Sequence, residues 1–82
     1  MNRKKLFEIS EFLRSNPRTR VEITGYATED EGDGNLSKIR SDTVALYLVS
    51  LGIRRNRIFT GGRTDLSKHG AELIFIKGGE KG

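Results

Sequence analysis

An acidic, glycine-containing loop at residues 27–35 separates a stretch that alternates in polarity from one that repeats with helical spacing. Before the loop, residues 20–26 alternate apolar and polar side chains, the period-two pattern of a strand with one buried face. After it, the apolar residues of segment 36–51 recur at helical intervals. A second strand follows, and strand, helix and strand in that order form a right-handed parallel crossover. This order therefore predicts an α/β layer structure.

The rest of the chain supplies one more helix and completes the sheet. Residues 3–16 repeat their apolar positions at helical spacing, and Asn16-Pro17 ends that helix because the residue before a proline disfavours helical geometry. Residues 57–60 are predicted as a short strand, 61–70 as a polar loop, and 72–77 as a strand. The last strand is apolar on both faces, which is typical of a strand inside the sheet and not at its edge. The predicted fold is a two-layer α/β sandwich of order α-β-α-β-β, with the helices on one face of a small mixed sheet.

Length and composition restrict the fold further. A chain of 82 residues forms one small domain, predicted to span 1–77, and 78–82 is predicted to be a disordered tail because it carries no apolar anchor. The chain has no cysteine, so disulfides and thiolate metal sites are excluded. No apolar run is long enough for a membrane span. Nothing in the sequence resembles a signal peptide, so a targeting segment of an exported protein would lie outside this chain.

One arginine departs from the pattern of the second predicted helix. On a helical wheel, Arg40 falls in the middle of the face that carries the apolar residues. That face comprises Leu36, Thr43, Val44, Tyr47 and Leu51, and the opposite face comprises Lys38, Asp42 and Ala45. A side chain one turn inside a helix leans back over the preceding loop. A charge removed from water needs a carboxylate, a carbonyl or a ligand as its partner. Arg40 is therefore predicted either to bind a ligand or to fix the acidic loop to the helix.

Two adjoining motifs resemble the OmpA-like domain family. The first is the strand Val21-Glu22-Ile23-Thr24-Gly25, and the second is the helix start Leu36-Ser37-x-x-Arg40-Ser41-x-x-Val44. The resemblance covers residues 6–77 and implies the fold of that family, with the family's first strand missing here. It also implies noncovalent binding of peptidoglycan in the bacterial envelope, with the diaminopimelate of the stem peptide as the anchor. A periplasmic or outer-membrane-associated location follows from the same resemblance.

The resemblance also implies which residues bind the ligand. In the family, a Gly-His-Thr-Asp turn supplies an acid for the ligand's ammonium group, and the arginine of the Leu-Ser-x-x-Arg motif holds its carboxylate. The candidate ligand-binding residues are Arg40, Thr28, Glu29, Asp30, Asn35 and Ser37. Arg40 matches the family's arginine, and the helix start that includes Asn35 and Ser37 favours an anion. Thr28 stands at the acid position, and Glu29 or Asp30 reaches it only with a gap.

The sequence gives less support to other functions. His69 is the only histidine, and it stands with Gly70 where the family has paired arginines. The acidic loop lacks the ligand spacing of a calcium-binding loop, and no nucleophile–base pair can be identified. We therefore predict no metal, no cofactor and no enzymatic activity.

Two alternatives to peptidoglycan binding remain open. The first is a scaffold domain that has lost this ligand and that pairs its exposed sheet edge with a partner strand or with a second copy of itself. The second rests on the net charge of +4 and the arginines at 54, 55 and 57, which allow electrostatic binding to nucleic acid. No specific nucleic acid is expected as a partner, and this alternative is the least favoured.

Overall fold

Two helices pack against one face of a three-stranded sheet in the computed structural model, which describes residues 3–31, 35–65 and 67–78. The elements are helices α1 (Arg3–Ser15) and α2 (Asn35–Ser50), strands β1 (Thr19–Ala27), β2 (Ile58–Thr64) and β3 (Gly70–Lys77), and single 3-10 turns at Glu29–Glu31 and Arg55–Arg57. The predicted α/β sandwich and its α-β-α-β-β order are confirmed. No helix among the described residues has both the length and the hydrophobicity needed to cross a membrane.

Strand β1 lies at the centre of the sheet. It pairs in parallel with β2 and antiparallel with β3, so the sheet is mixed and the predicted parallel crossover through α2 is present. Alternate side chains of β1, including Val21 and Ile23, face the helices and are almost fully buried. The period-two pattern of the sequence arises because only this face of the strand is covered.

The core lies between β1 and the two helices. Its buried apolar side chains come from every helix and strand except β3, which adds Ala71 and Leu73 at its margin. Leu13 and Leu48, from α1 and α2, have no exposed surface. Gly52 follows the end of α2 at a φ of +99°, in the left-handed conformation that glycine adopts most readily.

The predicted interior position of the last strand is wrong. Among the described residues β3 pairs only with β1, so it is an edge strand of the order β2-β1-β3. Its apolar run led to the error, because such a run is typical of strands covered on both faces. Here Ile74 is 51% exposed and Phe75 is 41% exposed, so the hydrophobicity of β3 does not reflect complete burial.

Strand β2 is longer than predicted. It extends through residues 61–64, which the sequence analysis assigned to a polar loop, because these residues continue the ladder with Thr24 to Ala27 of β1. Backbone pairing does not need apolar side chains. The glycines at 61 and 62 are typical of loops, so the sequence pattern did not predict this part of the strand. Gly25 of β1 lies directly opposite Gly62 in this register.

The buried face of α2 is rotated from the predicted one. It consists of Ser37, Ser41, Ala45 and Leu48, so Ala45 is buried, although the helical wheel placed it on the outer face. Thr43 is exposed. The reason is that α2 approaches the sheet too closely for large side chains: a Cβ added at Gly25 or at Gly62 would collide with Ser37. Small residues mark this contact, and a search for large apolar residues misses it.

The arginines at 54, 55 and 57 do not form one basic surface. The guanidinium of Arg57 points inward, where Nη2 donates to the backbone carbonyl oxygens of Leu13, Asn16 and Thr19 at 2.7–2.8 Å. These carbonyls end α1 and lead into β1, so Arg57 fixes that turn. Arg54 and Arg55 are exposed. The structure thus removes one of the three cations on which the nucleic-acid alternative depended.

The predicted disordered tail lies almost wholly outside the described residues. Only Gly78 is described, and its N–H donates to the carbonyl of Arg18 at 3.2 Å. Residues 79–82 are not described, and neither are residues 32–34 of the acidic loop.

Candidate ligand-binding site at the start of helix α2

Arg40 connects the first turns of α2 to the end of β1. Its Nη1 donates to the backbone carbonyl oxygen of Tyr26 at 2.7 Å, and its side chain is half-buried. The guanidinium therefore leans toward the N-terminal end of its helix, as its position one turn inside α2 predicted. A carbonyl partner compensates part of the cost of taking this charge out of water.

The helix start is held in place by close packing on two glycines. A Cβ at Gly25 would lie against the Ser37 carbonyl and 2.8 Å from the Ser41 nitrogen, and a Cβ at Gly62 would lie 2.7 Å from the Lys38 nitrogen. The backbone of α2 thus rests directly on that of β1 and β2 near the ends of these strands. This contact fixes the height of Arg40 above the sheet.

A groove lies beside Arg40, between the start of α1, helix α2 and the start of β3. It has a volume of about 440 Å³. It is lined by Arg3, Leu6, Ile39, Arg40, Thr43, Val44, Tyr47, Gly70 and Ala71. The groove therefore joins two guanidinium groups to apolar walls, a combination suited to an aliphatic ligand that carries carboxylates.

The other five predicted ligand-binding residues are close to Arg40 in the sequence, but none of them lines the groove. Thr28 follows β1 directly and is buried, whereas Glu29 and Asp30 are exposed on the 3-10 turn that comes next. Asn35 is the exposed first residue of α2, and Ser37 is buried inside its first turn. Ser37 is therefore part of the helix–sheet contact.

Lys38 belongs to a different surface from Arg40. Its Nζ donates to both carboxylate oxygens of Asp42, at 3.0 and 3.1 Å, along the flank of the helix. This hydrogen bond lowers the pKa of Asp42, with a smaller contribution from Thr60 of β2. Lys38 is therefore paired along α2, and Arg40 is the cation of the helix start that reaches the end of β1.

A polar cluster on the opposite face of the sheet was not found from the sequence. The Tyr26 hydroxyl donates to Oε1 of Glu72 at 2.9 Å. The Nζ of Lys68 lies 4.8 Å from the centroid of the Tyr26 ring and 3.8 Å from Oε2 of Glu72. Tyr26 thus offers its carbonyl to Arg40 and its side chain to this cluster. The signal that could have revealed it is Tyr26 itself, which stands where the resemblance expects histidine.

Among the described residues, no group of histidine and acidic side chains is arranged to hold a metal ion. A groove of about 380 Å³ lies at the other end of the sheet, where residues 15–19 approach Lys77 and Gly78, and it contains none of the predicted ligand-binding residues. Of these two grooves, only the one at Arg40 is lined by a predicted ligand-binding residue.

Comparison with known proteins places this geometry in a family. The solved C-terminal domain of Helicobacter pylori MotB superposes with a TM-score of 0.75 at 14% sequence identity, covering 98% of this chain and 78% of that one. The OmpA-like domain of FopA1 from Francisella tularensis subsp. tularensis SCHU S4 has a TM-score of 0.71 at 19% identity, covering 94% of this chain and 64% of that one. At these identities the two structures show a shared fold. The comparison with curated proteins found no match. The model of the OmpA family matches residues 2–72, which is most of the sequence, so this chain belongs to the OmpA family.

Proposed function

We propose that this chain is a noncovalent peptidoglycan-binding module of the bacterial envelope, anchored through the diaminopimelate of the stem peptide. Membership of the OmpA family supports the proposal, because OmpA-like domains commonly associate with peptidoglycan. Such domains are binding modules and are generally not enzymes. The natural location would then be the periplasm or the outer-membrane-associated envelope.

The observation that carries the proposal is the position of Arg40. Its guanidinium is held by the Tyr26 carbonyl at the edge of a groove whose walls include Leu6, Val44 and Ala71. Diaminopimelate has an aliphatic chain between two amino-acid ends, so one end can place its carboxylate on an arginine while the chain contacts apolar side chains. Arg3, at the other side of the same groove, offers a second guanidinium. The groove therefore suits the carboxylates and the chain of this ligand.

The ammonium group of the ligand would be held by the acidic turn after β1. Glu29 and Asp30 are exposed, and Glu29 follows Tyr26 by three positions, so their Cα atoms lie within about 11 Å of each other. A carboxylate within this distance can reach an ammonium bound beside Arg40. Thr28, at the position of the family's acid, is buried and lacks a charge. We therefore assign the ammonium to Glu29 or Asp30 and not to Thr28.

A titration with a soluble muropeptide tests the proposal. The binding of a fragment that contains diaminopimelate is measured by NMR shift changes of backbone amides and by calorimetry. The same fragment with lysine in place of diaminopimelate lacks one carboxylate and serves as the ligand control. We expect the diaminopimelate fragment to shift the amides of the α2 start and of the β1 end, and the lysine fragment to bind more weakly.

Two variants locate the binding. Arg40→Ala is expected to weaken binding at least about tenfold, because a charge-assisted hydrogen bond contributes about 1.5–3 kcal/mol. Arg54→Ala is the control, because it removes the same charge from an exposed position. Arg54 precedes β2, whereas the start of α2 packs near the C-terminal end of that strand. The Arg54→Ala variant is expected to bind the fragment like the original chain. An equal loss of affinity in both variants would show that binding depends only on net charge. The absence of any NMR shift change at about 1 mM fragment would refute the proposal.

A further inference from the structure

A groove rich in arginine lies where the central strand of the sheet begins. It has a volume of about 430 Å³. It is lined by Pro17, Arg18, Arg20, Asn56, Arg57 and Gly78. Arg20 is the second residue of β1 and Tyr26 is the eighth, so about 20 Å of strand separates this arginine groove from the Tyr26 carbonyl that holds Arg40. The arginine groove is therefore separate from the groove beside Arg40.

Arg20 is oriented without the use of its hydrogen-bond donors. Its guanidinium carbon lies over the ring of Phe59, 5.6 Å from the ring centroid. The guanidinium also lies against Gly78, where an added Cβ would be 3.7 Å from Nη2. Within the described parts of the chain, Arg20 forms no hydrogen bond and no ion pair. A guanidinium stacked on a ring keeps its five N–H groups at its edge, so Arg20 can donate them to a ligand.

Arg57 is fixed more firmly and also retains donors. Its Nε and Nη2 donate to backbone carbonyl oxygens at the turn between α1 and β1, which sets the plane of the guanidinium. Its Nη1 has no hydrogen-bond partner among the described residues. Because Arg57 lines the arginine groove, Nη1 can supply two further N–H groups to a ligand there.

The charge around the arginine groove is positive. Residues 12–21 and 50–62, which lead into and away from it, contain six arginines and neither aspartate nor glutamate. Glu22 shares the outer face of β1 with Arg20 but forms no ion pair with it. Like charges in one groove repel each other, and an anion bound between them offsets that repulsion. The arginine groove therefore favours an anionic ligand.

We propose that the arginine groove binds the terminal phosphate of a phosphate monoester. Such a phosphate carries a charge of about −1.5 to −2 at neutral pH and has three terminal oxygens. Arg20 and Arg57 come from different segments, so each can donate to a different oxygen, and the Asn56 amide can donate to the third. A carboxylate has one charge and two oxygens, which a single guanidinium satisfies. Clusters of arginine are a common means of recognising phosphate groups.

A titration with inorganic phosphate tests the proposal. NMR shifts of backbone amides are followed at constant ionic strength, with acetate as the control anion. We expect saturable shifts at Arg20, Asn56 and Arg57 with a dissociation constant below about 10 mM, and no saturable shifts with acetate. Arg20→Gln should weaken phosphate binding at least about tenfold, because it removes a charged donor from an exposed position where the fold tolerates the change.

Two control variants locate phosphate binding. Arg54→Ala removes an equal charge from an exposed residue that does not line the arginine groove, so it should bind phosphate like the original chain. Arg40→Ala should also leave phosphate binding unchanged, which separates this proposal from peptidoglycan binding. The absence of saturable shifts at about 50 mM phosphate would overturn the proposal. An equal loss of affinity in Arg20→Gln and Arg54→Ala would overturn it too, because binding would then depend only on net charge.

The source of the phosphate is identified with two further probes. Soluble glycerol 3-phosphate and vesicles of phosphatidylcholine with phosphatidic acid present the same terminal phosphate. Sedimentation with the vesicles that Arg20→Gln abolishes and Arg54→Ala preserves would assign the ligand to a lipid headgroup. Binding of glycerol 3-phosphate without vesicle binding would assign it to a soluble monoester. A single-stranded oligonucleotide that binds while inorganic phosphate and glycerol 3-phosphate do not would contradict a monoester site and indicate attraction to a polyanion.

Discussion

Replacing Gly25 with alanine is expected to cause a large loss of stability. Gly25 lies in the central strand and is buried beneath the first turn of α2. Its φ is not positive, because Gly52 and Gly70 are the only positive-φ glycines among the described residues. The effect of alanine is therefore steric, and no unusual backbone conformation is involved.

The magnitude follows from the atoms that a Cβ would meet. It would collide with the Ser37 carbonyl oxygen and lie 2.8 Å from the Ser41 nitrogen, whereas an ordinary contact is about 3.5–4.0 Å. These are backbone atoms of a helix, so the helix as a whole must move away from the sheet. Overpacking usually costs about 1–3 kcal/mol when side chains can adjust, so we expect about 3 kcal/mol here. An 82-residue domain has a total stability of about 4–12 kcal/mol, so this loss is a large fraction of it.

The assay is urea and thermal unfolding followed by circular dichroism. A loss of about 3 kcal/mol corresponds to a fall in Tm of about 12–24 °C for a domain of this size. Gly61→Ala is the matched control, because a Cβ there meets nothing within 4 Å. It is expected to leave stability unchanged or to raise it by up to about 1 kcal/mol, since alanine restricts the unfolded chain. Equal unfolding free energies for the two variants would refute the packing argument.

Three further predictions concern charged side chains. Arg40→Ala should lower the free energy of unfolding in urea by about 1.5 kcal/mol, because the Tyr26 carbonyl loses a charged donor. A loss above about 4 kcal/mol would show that the role of Arg40 is chiefly structural. Arg57→Ala should cost about 3 kcal/mol by the same measurement, since it removes a charged donor shared by three backbone carbonyls. The exposed Arg54→Ala should change stability by less than about 0.5 kcal/mol. The hydrogen bond from Lys38 lowers the folded-state pKa of Asp42 below its usual 3.8, so its stabilising contribution is complete above the unfolded-state pKa and is lost as pH falls through the folded-state value. Asp42→Asn should therefore reduce the pH dependence of the unfolding free energy below about pH 4. If that dependence is unchanged in the variant, the pairing of Asp42 with Lys38 does not contribute to stability.

The parts of the site that could be predicted from the sequence are those set by local geometry. The direction of Arg40 follows from the tilt of helical side chains, and its partner, a carbonyl, is among the three that were expected. The role of Ser37 could not be predicted in this way. Its burial depends on two glycines, one in each of two strands, that meet only when β1 and β2 pair. The Tyr26–Glu72 hydrogen bond likewise joins residues 46 positions apart.

The sequence by itself determined the kind and order of the elements in this protein, together with the half-buried character of β1. These properties follow from periodicity, because a helix and a strand repeat their buried positions over a few residues. Only the tertiary structure decided that β3 lies at the edge, that β2 continues through its glycines, and that α2 presents its small residues to the sheet. Each of these features depends on contacts between distant segments of the chain. Backbone pairing and the close approach of small side chains do not change the pattern of hydrophobicity along the sequence, so the sequence did not predict them.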